Sequence, residues 1–103
     1  MNKFDLKNKT AIITGGAQGF GLDIAKKFIQ NGAKVIIWDV DEKELVDVKK
    51  KLENPNLEYN VVDVSDYKTI DDTVNKISKK SKIDILINNA GITGPTAELW
   101  NYE

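Results

Sequence analysis

The chain has 103 residues, 41% hydrophobic and 30% charged, with fifteen basic against sixteen acidic side chains and a formal net charge of −1. This length allows one domain and excludes a two-domain enzyme, while the balanced composition excludes disorder as the main state. A near-zero net charge provides no broad positive field, so no nucleic acid and no membrane surface is expected as a partner.

Cys and His are both absent, which excludes disulfides, thiol nucleophiles, imidazole bases and most zinc sites. Every basic residue is a lysine, so no planar guanidinium is present to clamp a phosphate or carboxylate in two-pronged fashion. Apolar runs stop far short of the roughly 20 residues a bilayer span needs. The start, MNKFDLKN, lacks the hydrophobic region of a signal peptide. A cytoplasmic location is expected.

Ala11-Ile12-Ile13, between Thr10 and Thr14 and ended by Gly15-Gly16, predicts a strand buried on both faces. Leu22, Ala25, Phe28 and Ile29 then recur at helical spacing until Asn31-Gly32 stops the helix. Val35-Ile36-Ile37-Trp38 predicts a second buried strand. Asp41 with Glu44 three residues later resembles a capping box opening a lysine-rich helix to Leu52. Asn54-Pro55-Asn56 breaks that helix, and a third strand is expected within Leu57 to Asp63. Ile70, Val74 and Ile77 mark the apolar face of a third helix, and Ile83 to Ile87 a fourth strand running into Asn88-Asn89-Ala90-Gly91. The segment after Gly91 reads as loop. Strands alternating with helices imply right-handed crossovers and a Rossmann-type, doubly wound parallel α/β sheet. This sheet has four strands and three helices, with no further strand legible beyond the fourth.

The most informative stretch is Thr14-Gly15-Gly16-Ala17-Gln18-Gly19-Phe20-Gly21, at the junction of the first strand and first helix. Glycines there permit a tight turn, close approach of backbone to a pyrophosphate, and close packing of helix on sheet. Backbone N–H groups and the positive end of the helix dipole can then hold the diphosphate. A simple glycine-rich turn is the bland alternative.

The spacing is G-x-x-x-G-x-G, and with Thr14 in front it resembles the N-terminal signature of the short-chain dehydrogenase/reductase family. Asn88-Asn89-Ala90-Gly91 resembles that family's second motif, after the fourth strand. The resemblance covers all 103 residues but looks like only the N-terminal part of a member more than twice as long, loosely similar to ketoacyl-carrier-protein reductases. It implies an oxidoreductase that moves hydride between a nicotinamide and a small alcohol or carbonyl compound, in a family that forms homo-oligomers.

Asp39 closes the second strand, eighteen residues after Gly21, near the spacing of the acid that accepts hydrogen bonds from the adenosine ribose. A carboxylate there repels a 2′-phosphate. The places where the family carries basic residues for NADP hold Gln18 and Asp39-Val40, so NAD is preferred over NADP. Asp63-Val64 resembles the family's adenine-contacting pair, with a helix-capping role for Asp63 as the alternative. Asn89, Ala90 and Gly91 are implied to line the cofactor's ribose side, and Asn88 to serve as scaffold. Cofactor binding is therefore assigned to Gly15, Gln18, Gly19, Phe20, Gly21, Asp39, Asp63, Val64, Asn89, Ala90 and Gly91.

No residue is nominated as catalytic, and none as a metal ligand. The Tyr, Lys and Ser that the resemblance implies have no counterparts here: Tyr102 has no Lys four residues later, and Tyr59 has Asp63 there, which would raise a phenol pKa. Activity of the chain alone is not expected. Aromatic residues are read as packing, and Lys49-Lys50-Lys51 as a solvated helix face. The competing functional class is a stand-alone nucleotide-binding or protein-interaction module without catalysis.

Overall fold

The computed structural model describes residues 5–17 and 19–89. Seven elements alternate along them: β1 (Thr10–Thr14), α1 (Gly19–Gln30), β2 (Lys34–Asp39), α2 (Glu42–Leu52), β3 (Leu57–Val61), α3 (Tyr67–Ser78) and β4 (Ile85–Asn88). The four strands form one parallel sheet in the order β3-β2-β1-β4. The expected Rossmann-type class is observed.

Both faces of β1 and β2 are covered because neighbouring side chains enter different cores. Ile13, Val35, Ile37 and Leu57 pack with Ala25, Leu45 and Val48 of α1 and α2. Ile12, Ile36 and Trp38 pack with Val62, Val64 and Ile70 on the side of α3. The chain runs outward from β1 through β2 to β3, then jumps back past both to β4. With one crossover hand throughout, that reversal places α3 on the opposite face from α1 and α2. The reversal point lies between β1 and β4, the place where open parallel sheets bind ligands outside the carboxyl ends of their strands.

Local chemistry sets the element ends. Asp41 caps α2 by accepting the Glu44 N–H at 3.2 Å, as the capping-box spacing predicts. The Asp41 N–H itself is taken up by Asp39 Oδ1 at 3.3 Å. At its far end α2 closes on Glu53, left-handed at φ 44°. There the Lys49 ammonium donates to the carbonyls of Asn54, at 3.3 Å, and Leu57. Lys49 is thus half-buried and bonded rather than part of a solvated face, whereas Lys50 and Lys51 remain outward.

Two boundaries differ from the sequence expectation. Strand β3 ends at Val61, although Val62 still donates to Asp39 O at 3.0 Å. Strand β4 starts at Ile85, because Asp84 is engaged in a reciprocal clamp on β1. Its N–H donates to Thr10 O at 2.9 Å and its carboxylate accepts the Thr10 N–H at 3.0 Å.

Leu45 is fully buried in the first turn of α2, so Leu45→Ala should remove about 2–5 kcal/mol of stability. Urea unfolding should show a lower midpoint with an unchanged slope.

Candidate functional site

The carboxyl ends of β1, β2 and β4 and the segment after β3 carry Thr14, Asp39, Asn88 and Asp63. Thr14 organises the centre. In register it lies opposite Trp38 on β2 and Asn88 on β4. Its hydroxyl bonds Asn88 Oδ1 at 3.1 Å and accepts the Asn89 N–H at 2.9 Å. This single side chain therefore joins the end of β1 to Asn88 and Asn89 at the end of β4.

The glycine turn follows directly. Gly15 and Gly19 have φ of 63°, a left-handed conformation that costs other residues about 1–2 kcal/mol. A side chain at Gly21 would collide with the Gly15 carbonyl and lie 2.7 Å from Asn89 Nδ2. That space is taken by protein: Asn89 Nδ2 donates to Gly15 O at 3.4 Å, so turn, helix and β4 end meet there. Gly19 differs. Among the described residues, no atom outside its chain neighbours and its own helix backbone lies within 4 Å of where its Cβ would stand, so no described side chain fills the space at the start of α1. Phe20 beside it is 78% exposed.

Asp39 is aimed at this turn. Its Oδ2 accepts the Ala17 N–H at 3.4 Å, while Oδ1 accepts those of Val40 at 2.8 Å and Asp41 at 3.3 Å. A carboxylate offers about four lone-pair sites, so three backbone donors hold its orientation and leave acceptor capacity on Oδ2. Lys43, the nearest cation in sequence, is exposed.

After β3, Asp63 is exposed and receives both the N–H (2.9 Å) and the hydroxyl (2.6 Å) of Ser65 on Oδ1. These bonds, the hydroxyl's first, hold its carboxyl below the usual carboxylate value. The helix cap is Asp66, whose Oδ1 takes the N–H groups of Lys68 and Thr69 and whose Oδ2 takes the Thr69 hydroxyl at 2.7 Å. The capping alternative for Asp63 is thereby removed. Val64 is buried in the core on the side of α3, 8% exposed.

The structure thus brings Gly15, Gly19, Phe20, Gly21, Asp39 and Asn89 together around the reversal point, with Asp63 and Val64 on the next strand end. Gln18, Ala90 and Gly91 lie outside the described residues, as do Trp100 and Tyr102. Sequence reasoning missed the Thr14 hydroxyl, the Ala17–Asp39 bond, and the exposed Val40 (63%) and Val61 (46%) at the rim. An apolar residue directly after a strand-ending acid was the available signal for Val40. Trp38 is packing, as expected, with its indole N–H on Asn60. Tyr67 is not, being 64% exposed. Among the described residues no His, Cys, Asp and Glu group could hold a metal, and no helix is long and apolar enough to cross a membrane.

A profile of the short chain dehydrogenases matches residues 9–101. The chain belongs to the short-chain dehydrogenase family. Relatives in it include a 3-oxoacyl-(acyl-carrier-protein) reductase of Chlamydia pneumoniae, 45% identical over 91 residues that cover 85% of this chain and 37% of that protein. A 3alpha-hydroxysteroid dehydrogenase of Mediterraneibacter gnavus is 34% identical over 103 residues, 95% of this chain and 41% of its own length. Among solved short-chain dehydrogenase-like structures, a 2-keto-3-deoxy-D-gluconate dehydrogenase from Streptococcus agalactiae superposes with a TM-score of 0.79 at 36% identity, covering 93% of this chain and 38% of that one. The chain spans about two fifths of the length of these relatives.

A carboxyl whose pKa falls on folding stabilises the folded state above its unfolded value and loses that contribution as pH drops through the folded one. For Asp63 and Asp66 this window lies below the ordinary 3.8. Thr69→Val removes the largest cause of the Asp66 shift, so its NMR titration should return toward 3.8 while that of Asp63 stays low. Gly21→Ala should destabilise the fold, whereas Gly19→Ala should cost only about 1–2 kcal/mol of conformational strain, both read by thermal melting.

Proposed function

We propose that residues 1–103 are the cofactor-binding portion of a nicotinamide-dependent oxidoreductase that acts between an alcohol and a carbonyl compound, with NAD preferred over NADP. The observation that carries this reading is the open space at Gly19 beside an oriented Asp39. A turn with φ of 63° at Gly19, with no described residue beyond its own neighbours and helix backbone within 4 Å of its missing Cβ, makes a cradle in which backbone can approach a diphosphate, at the positive end of α1. Asp39, held by three backbone N–H groups, would accept ribose hydroxyls. Its charge disfavours a 2′-phosphate, and no arginine is present to compensate.

The residues fit the group in other respects. Phe20, Val40 and Val61 present apolar surface around the crevice. Asp63 presents an ionised carboxylate, and Asn89 stands with its amide on the Gly15 carbonyl. Together these residues would bind and orient a dinucleotide along the reversal point. When bound, the nicotinamide supplies the hydride acceptor or donor, and the chain's own residues position it. The small alcohol or carbonyl substrate, and any assembly of the chain with copies of itself, belong to the same proposal by relationship to the longer relatives.

Calorimetric titration of the 103-residue chain with NADH and with NADPH tests the reading. Saturable binding is expected, with NADH preferred. Asp39→Ala should bring the two affinities to within about a few-fold of each other, since the discriminating charge is gone. Unchanged preference in that variant would remove Asp39 from the site, and absent binding by a folded chain would defeat the assignment.

A further inference from the structure

A net charge of −1 conceals a separation of charge along the strand direction. Asp39, Asp41, Asp63 and Asp66 stand where the strands end, whereas lysines gather where they begin. Lys7 and Lys9 lead into β1, Lys34 opens β2, Lys76 lies in the last turn of α3, and Lys80 and Lys82 precede β4.

Two hollows bring these lysines together. A cavity of about 910 Å³ is lined by Lys7, Lys9, Thr10 and Lys34, with the amides of Asn31 and Asn56. A smaller one of about 80 Å³ is lined by Lys34, Lys76, Lys80 and Ser81. Lys34 borders both, which joins them into one track. The acids on this track are Asp5, whose Oδ1 accepts the Lys7 N–H at 3.0 Å, and Glu58, paired with Lys34 at 3.2 Å. Asp84 nearby is engaged by the Thr10 N–H. Among the described residues, Lys7, Lys9, Lys76 and Lys80 have no carboxylate within ion-pair distance. Thr10 is 6% exposed, and none of the hydrogen bonds among the described residues uses its hydroxyl. A buried hydroxyl without a protein partner is a group that a bound molecule or water satisfies.

The chemistry of the track selects its ligand. Ammonium groups are point charges on flexible stems and suit phosphate oxygens, while planar carboxylates are gripped best by the guanidinium forks this chain lacks. The larger cavity has the volume of a small-molecule site. Its lining, and that of the smaller hollow, includes no aromatic ring on which a base could stack. The exposed large apolar side chains, Phe20, Val40, Val61 and Tyr67, lie at or beyond the carboxyl ends of the strands, so no apolar anchor for a lipid surface is present here.

We infer that the amino end of the sheet is a binding site for an oligophosphate, a chain of linked phosphate groups held by Lys7, Lys9, Lys34, Lys76 and Lys80 with the Thr10 hydroxyl as a further donor. This site is separate from the dinucleotide reading and does not rest on it. Four residue steps of β1 part Thr10 from Thr14, about 13 Å at the usual rise of a strand.

Inorganic triphosphate is titrated calorimetrically into the 103-residue chain, alone and with NADH in excess, with folding checked by circular dichroism. Saturable binding is expected, weakened by added salt and unchanged by NADH. Amide NMR shifts should gather at Lys9, Thr10, Gly32, Lys34 and Ser81. Displacement by NADH, or shifts confined to Gly15 and Gly19, would place the anion in the glycine turn and overturn the inference. If NADH does not bind, the shifts alone decide the location, so the two readings fail separately. Lys9→Gln and Lys80→Gln, one from each hollow and both exposed, should each weaken binding about two- to fivefold and together about tenfold. Lys50→Gln with Lys51→Gln removes the same charge from α2 and should change binding less than about twofold. Equal losses in the two pairs would mean attraction to net charge alone, and would overturn the inference. Guanosine triphosphate binding as tightly as the inorganic chain would assign the site to phosphates alone, and tighter binding to the tail of a nucleotide. A thymidine oligonucleotide that outbinds the triphosphate, or no saturable binding by the folded chain, would defeat the proposal.

Discussion

Thr14 ends β1 with a strand on each side, Trp38 opposite on β2 and Asn88 on β4. The chain leaving this buried strand turns at once, at Gly15 with φ 63°. The turn is therefore pressed onto its neighbours. Gly16 lies so near Ile37 that a Cβ would stand 2.5 Å from Ile37 Cγ2, and Gly16 N donates to Trp38 O at 3.3 Å. Gly21 is closed in by Gly15 and Asn89. Among the described residues, no side chain closes over Gly19 in the same way. Close packing thus sets Gly16 and Gly21 apart from Gly19.

Asp39 shows how the same constraint serves electrostatics. It lies at the last position of β2 and is only half-buried, yet backbone donors from the glycine turn and from the entry to α2 converge on it. A single carboxylate thereby ties the turn after β1 to the segment leading into α2, in addition to any ligand it would receive. Its charge is accommodated by peptide N–H groups rather than by a cation. That arrangement suits a site meant to keep a negative charge facing outward, whereas a strong ion pair would neutralise it.

Most of the architecture was legible because buried parallel strands announce themselves. Ala11-Ile12-Ile13 and Val35 to Trp38 read as continuous apolar runs, and the glycine and asparagine motifs fell at strand ends where a parallel sheet opens its crevice. The misread boundaries have a common physical reason. Val62 is buried like a strand residue but faces α3 after the ladder has ended, and Ile83 packs against the same core without pairing. Burial and ladder hydrogen bonding are separable, and hydrophobic pattern reports only the first. The finer site contacts were illegible for another reason. The bonds from Ala17 to Asp39 and from Asn89 to Thr14 each link residues distant in sequence through a backbone N–H, which carries no signature of residue type. Lys49 was misread because a run of three lysines has one composition whether or not one of them turns inward.

That inward turn sets one amine apart from its neighbours. Lys49 has its ammonium directed onto the carbonyls of Asn54 and Leu57, where α2 hands the chain to β3, while Lys50 and Lys51 beside it face outward. An acylating reagent meets those two at the surface but must wait for the turn before β3 to open before it meets Lys49. The pace of labelling at Lys49 would then follow the opening and closing of that turn, a local event separable from global unfolding. The protein carries a built-in clock for one edge of its sheet.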